Sequence, residues 1–284
     1  MRKLLLAAVL PGLLLGYSAK SQGEVIGVHR IAGNVFMLGN NVAALVGKDG
    51  VLLVKGQDAD EPILSALKSL TDKPVRYVIE TQCDELGSGP PHHASATIVA
   101  HENVRRRFAM RKCGNDTAVL PDLTFDSQLT LHFDDEEVRI IKLPTGHSDN
   151  DSIVYFKNAN VVATGDAFEA DLLMGYVKSA GGNMLGVTEE LRRIVALVPA
   201  DAKIIPGSGP EASISDVRTA IKTLDEMRDA VAVLVAKGKT LQQLKDLDVL
   251  SPWAAMISPP LTRDIYLKFF WDCLTGPPDP KFQL

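Results

Sequence analysis

The chain has 284 residues, 46% of them hydrophobic and 23% charged, with a formal net charge of −5. That balance suits one large globular domain or two small ones. It excludes the basic surface expected of a nucleic-acid binder, and the one dense basic run, Arg105-Arg106-Arg107 with Arg111 and Lys112, reads as a solvated helix face.

In chain order, residues 1–21 read as a secretory signal peptide. Arg2-Lys3 is followed by an apolar core broken at Pro11, then by small residues at Ala19-Lys20-Ser21. The apolar run is short for a bilayer span. The expectation is an exported protein, periplasmic or secreted, with no membrane attachment after cleavage and one domain over residues 22–284. Cys83, Cys113 and Cys273 are too irregularly spaced for a disulfide scaffold or a zinc finger. Their odd number leaves at least one unpaired, and at least two read as buried inert thiols.

Residues 25–38 alternate loosely and predict one or two strands. Apolar runs at 42–46 and 51–54 are joined by Gly47-Lys48-Asp49-Gly50, a hairpin signal. A helix is predicted over 61–70, strands over 75–79 and 96–100, and a short helix to Met110 capped by Asn103. Residues 123–143 read as strands turning at Asp134-Asp135-Glu136-Glu137. Two apolar runs, 152–156 and 160–163, form a hairpin about a turn at Lys157-Asn158-Ala159. Helices are predicted over 188–198, 213–237, 240–247 and 261–274, with a strand over 202–205. Helices recurring between groups of strands predict a four-layer αββα sandwich.

The 152–163 hairpin is flanked by Thr145-Gly146-His147-Ser148-Asp149 and by Thr164-Gly165-Asp166. Its closure brings His147 and Asp166 to one rim of a sheet, with glycines allowing sharp turns beside each.

Several pieces in order carry a family resemblance: Asp49-Gly50-Val51-Leu52-Leu53-Val54, Pro74-Val75-Arg76-Tyr77-Val78-Ile79-Glu80-Thr81, Ile98-Val99-Ala100-His101-Glu102-Asn103-Val104-Arg105, the two flanks just quoted, and Ile204-Ile205-Pro206-Gly207. Together they resemble the metallo-β-lactamase fold superfamily, most of all its exported hydrolase-type members. The resemblance implies the αββα fold and one or two zinc ions that activate a water. It also implies a His-x-His-x-Asp-His loop after the 75–81 strand. Here that loop reads Gln82-Cys83-Asp84-Glu85-Leu86-Gly87, and Ser208 stands where the family's last histidine follows Pro-Gly. Lys55 replaces a supporting aspartate. Only His147 and Asp166 match the family's ligands.

The vestigial metal set is therefore Gln82, Asp84, His147 and Asp166. One position keeps Asp166 alone, too little to hold zinc. The other offers Gln82, Asp84 and His147, of which the amide is a weak donor. The expectation is no cofactor, or at most one zinc or other divalent cation. Asp84, His147 and Asp166 are the candidate catalytic residues, Asp84 and Asp166 as a metal-free carboxylate pair. Alternative donors weigh less. His92-His93 are adjacent and stiffened by Pro90-Pro91, and His101 reads as structural. Cys83 is a thiol nucleophile only if His147 reaches it. Asp151 reads as fixing the hairpin entry, and Gly181-Gly182-Asn183 as a loop shaping a ligand pocket. Three functions follow: a non-catalytic or altered relative binding a small molecule or a partner, a hydrolase of esters, lactones or β-lactams using one weak metal or none, and a structural or interaction protein.

Overall fold

The computed structural model describes residues 26–55, 61–83, 96–110, 120–257 and 261–276. Asp84, His92, His93, Cys113 and the signal segment lie outside them.

Seven strands form the first sheet: β1 (Val28–Ala32), β2 (Val35–Leu38), β3 (Val42–Val46), β4 (Val51–Lys55), β5 (Val75–Glu80), β6 (Thr97–His101) and β7 (Leu123–Phe125). Their spatial order is the chain order. The second sheet runs β13 (Ala212–Ser213), β12 (Lys203–Pro206), β11 (Val161–Gly165), β10 (Ser152–Phe156), β9 (Glu136–Lys142) and β8 (Gln128–Phe133). Helices α1 (Glu61–Lys68) and α2 (Glu102–Ala109) cover the first sheet; α3 (Met184–Leu197), α4 (Ile214–Ala236), α5 (Leu241–Asp246) and α6 (Arg263–Thr275) cover the second. The result is the expected αββα sandwich.

The two-residue period of a strand explains the layers. In β10, Val154 and Phe156 enter the core between the sheets, while Ile153 and Tyr155 enter the core beneath α3, α4 and α6. In β3 and β4, Ala43, Leu45, Leu52 and Val54 face the second sheet, and Val42, Ala44, Val51 and Leu53 face α1. These central strands are apolar on both faces because both faces are covered. Each fully buried Ile, Val or Phe contributes about 1.5–3 kcal/mol, so the central hairpin anchors its flanking loops firmly.

Local chemistry sets the ends. Asn160 takes φ 54° at the β10–β11 turn. Ser213 and Asp216 form a capping box on α4, and Thr240 with Gln243 caps α5 the same way. The cap of α2 differs from expectation. Asn103 lies inside the helix, and the His101 side chain accepts its N–H. His101 Nε2 meets the Asp126 carbonyl at 2.8 Å, so the ring donates there and caps through Nδ1. His101 is structural, as expected. Helix α3 begins four residues earlier than its apolar spacing predicts, because Asn183 supplies the cap to Leu185 and Gly186.

The cysteine expectations hold for Cys273 and change for Cys83. Cys83 is disulfide-bonded rather than an inert thiol, so it is unavailable as a nucleophile, while Cys273 is free. No helix among the described residues is long and apolar enough to cross a membrane.

Candidate functional site

The site lies at one rim of the sandwich, where β5, β11 and β12 end and the 143–151 loop enters β10. Gln82 follows β5, and its Nε2 donates to Asp166 Oδ2 after β11. His147, Gln82 and Asp166 are all buried, at 5%, 6% and 7% exposure. The chain thus brings Gln82 and Asp166 into contact, and both His147 and Asp166 lie within electrostatic reach of Glu169.

The loop bearing His147 is held from behind by a buried polar network. His147 N donates to Glu190 Oε2 at 2.7 Å, and Ser148 N donates to Asp151 Oδ2 at 2.6 Å. Glu190 is wholly buried, and desolvation with the nearby Asp151 raises its pKa well above the ordinary carboxyl range. The shift favours the protonated form, which can donate toward Asp151. Glu190 Oε1 and Asp151 Oδ1 are both buried with no hydrogen-bond partner among the described residues, and a proton on Glu190 would be placed to serve this pair of carboxyls. Lys142, at the end of β9, faces Asp151, Glu190 and Asp149, but burial dominates and lowers its pKa.

Glycine makes this packing possible at two points. A Cβ on Gly146 would fall 2.2 Å from Glu190 Oε2. Gly165 sits at φ 53°, where a Cβ would meet Thr81 Oγ1 at 2.4 Å. The 181–183 segment also packs closely: a Cβ on Gly182 would come 2.1 Å from the His147 carbonyl. It buttresses the His147 loop from the protein side instead of forming a free pocket wall.

Two more side chains fasten the loops together. Asn150 accepts from Cys83 N at 2.6 Å and donates to Cys83 O at 3.2 Å, tying the residue after Gln82 to the His147 loop. From α2, Arg107 donates to both oxygens of Asp149 at 3.1 and 2.8 Å and to the Ser179 carbonyl. Asp151 fixes the entry to β10, as the sequence suggests, through Ser148 N and a Leu143 N to Asp151 O bond of 2.9 Å.

On the open side stand residues that the sequence reasoning missed. Glu169 is half-buried, and its carboxyl is pushed up to about 7 by desolvation first and Asp166 second, with His147 opposing. Its Oε2 is buried with no hydrogen-bond partner among the described residues. Ser208 lies against Glu169 and donates to Asp171 Oδ1 at 2.7 Å. His147 Nδ1 faces the Gly175 carbonyl at 3.4 Å, beside an aromatic wall in which Tyr176 and Phe269 meet with centroids 4.7 Å apart and planes tilted by 57°. Glu169 was detectable as an acid three residues past Asp166, and Glu190 as an acid inside the apolar stripe Val187, Leu191 and Ile194.

The described donors do not suit zinc. No group of three His, Cys, Asp or Glu residues among them is placed to hold a metal ion. Gln82 presents an N–H to Asp166, so the amide competes for the carboxylate lone pairs that a cation would use. We derive no step through a metal.

No protein-family profile matches the chain, and no curated protein matches it. Solved structures do. A metallo-β-lactamase from Pontibacter korlensis aligns with TM-score 0.58 and 16% identity, over 70% of this chain and 99% of that one. The sec-alkylsulfatase Pisa1 from Pseudomonas sp. aligns with TM-score 0.66 and 12% identity, over 88% of this chain and half of that one. The DIM-1 metallo-β-lactamase aligns with TM-score 0.59 and 13% identity, over 72% and 98%. Two facing sheets in this order, with the helices outside and these structural likenesses, establish that the chain has the metallo-β-lactamase fold.

Proposed function

We propose that this is an exported member of the metallo-β-lactamase-fold group that binds a small molecule at the rim holding Gln82, His147, Asp166 and Glu169, without a zinc centre of the family type. The observation that carries this reading is the Gln82 amide donated to Asp166. A protein hydrogen bond stands where the fold's hydrolases are expected to place a cation. The His147 loop is meanwhile held in place by Glu190, Asp151, Asn150 and Arg107. The Cys83 disulfide supports export, since such bonds persist in oxidising compartments. Metal analysis of the purified mature protein tests the reading. We expect clearly less than one zinc per chain; two tightly held ions would overturn it.

A second reading, a hydrolase working without metal, is favoured by Glu169. A carboxyl titrating near neutrality beside Asp166 and His147 suits general acid–base work. His147→Ala should then abolish hydrolysis of a test ester or lactone, and full retention of activity would rule the mechanism out.

A further inference from the structure

Among the described residues, the open side of the rim is rich in hydrogen-bond acceptors and poor in donors. Gln82 commits its N–H to Asp166, which leaves Oε1, on the same carbon, fully buried and unpartnered among the described residues. Glu169 Oε2 is likewise buried and unpartnered. Asp171 is exposed at the mouth, and the Ser208 hydroxyl donates to it at 2.7 Å while also lying within hydrogen-bond reach of the Glu169 carboxyl. A buried acceptor without a donor is costly unless a ligand completes it. Two such acceptors beside Asp166 call for a partner that only donates and carries positive charge. Ammonium and guanidinium groups donate without accepting.

We propose that the rim beside Asp166, between Gln82 and the 166–171 loop, receives a small molecule through a primary ammonium or guanidinium group, held by Gln82 Oε1 and the Glu169 carboxylate, with Asp171 at the entrance. The inference rests on the small-molecule reading above and adds the chemical class of its ligand. Other features agree with it. The mouth is solvent-accessible, since Gly207, Ser208 and Gly209 are only partly buried. Tyr176 and Phe269 form an apolar wall beside His147, suited to an uncharged body behind the cationic head. The net charge of −5 favours approach of a cation.

The test is calorimetric titration of the mature protein at pH 8 with butylamine and butylguanidine, with butyrate as the anionic control. One or both cations should bind and butyrate should not. Glu169→Gln keeps the side-chain shape but removes the charge, and should weaken cation binding by about tenfold or more, the scale of a charge-assisted hydrogen bond. Circular dichroism and the melting temperature of that variant confirm that it folds. Asp171→Asn, at an exposed position, should weaken binding several-fold and guards against any packing effect of the first change. Butyrate binding without either cation would overturn the ligand class while leaving the small-molecule reading intact. Cation binding unchanged in both variants would overturn the placement. Failure of all three probes would overturn the inference, and only tightly held zinc would overturn the underlying reading as well.

Discussion

The buried carboxyl of Glu190 makes a prediction about stability that depends on pH. Glu190 accepts from His147 N at 2.7 Å and, in its protonated form, can donate toward Asp151. Replacing it with Ala leaves the His147 N–H and an Asp151 oxygen without partners and opens a cavity. An orphaned buried donor alone costs about 1–3 kcal/mol, and breaking a buried polar pair costs about 3–5 kcal/mol. Glu190→Ala should therefore destabilise the fold by roughly 3–5 kcal/mol. Glu190→Gln is different. Its Oε1 can accept from His147 N and its Nε2 can donate to Asp151, so at pH 5 it should lie within about 1 kcal/mol of the native chain. The sign of the pH effect follows from linkage. The folded carboxyl has a pKa raised above the ordinary 4.5, so folding takes up a proton once the unfolded group has ionised. Below pH about 4.5 the group is protonated in both states, so its contribution is fully present and independent of pH. Above that pH the native chain loses up to about 1.4 kcal/mol per pH unit until the folded group itself ionises. Glu190→Gln carries no such loss, so it should become the more stable chain as pH rises from 5 to 8. Urea unfolding followed by circular dichroism at pH 5, 6, 7 and 8 measures both chains. A difference between them that stays constant across that range would refute a protonated Glu190.

Three further outcomes are expected. Gly165→Ala forces a side chain onto φ 53° and a Cβ 2.4 Å from Thr81 Oγ1, and should cost about 1–3 kcal/mol for the backbone alone; an unchanged denaturation midpoint would contradict this geometry. Asn150→Ala removes both bonds to the Cys83 backbone and should cost about 2–4 kcal/mol, with increased proteolysis near Cys83 as a second readout. The Arg107–Asp149 pair is only 13% and 19% exposed, so a double-mutant cycle with Ala at both positions should give a coupling of about 1–2 kcal/mol that changes little with added salt, unlike an exposed pair.

Much of the fold was legible because strand period and burial coincide. The doubly apolar runs at 42–46, 51–54 and 152–156 became central strands, and the turn beginning at Lys157 closed the hairpin. Misreadings arose where a polar side chain set an element's end. Asn183 begins α3 ahead of its apolar stripe, and a histidine ring, an uncommon cap, begins α2. The two-residue strand Ala212–Ser213 is too short to show a period. At the site, Gln82, His147 and Asp166 stood out through their place in the resemblance, and Gln82 and Asp166 do meet. Glu169, Asn150 and Glu190 were not assigned to the site, because their roles come from long-range contacts. Glu190 reaches His147 across 43 positions, and Asn150 reaches Cys83 across 67. The Cys83 disulfide was equally hidden, since spacing alone does not fix a pairing.

The way these loops are held bears on how such a rim can outlive a change in its ligands. In a site organised by a metal, the ion itself supplies much of the energy that fixes its loops. Here each loop is fixed by bonds that involve no ion. The His147 backbone rests on Glu190, Ser148 on Asp151, Cys83 on Asn150, and Asp149 on Arg107, while Asp166 is met by Gln82. None of the supporting partners Glu190, Asn150 and Arg107 is itself one of the residues where the fold's ligands are expected. Substitution at a ligand position therefore leaves the frame standing, and the frame fixes where the remaining acceptors point. That separation would let a substitution at Gln82 leave the Glu190, Asn150 and Arg107 supports intact. The chemistry of the rim then follows from its unfilled acceptors, Gln82 Oε1 and Glu169 Oε2, more than from the ancestry of the fold.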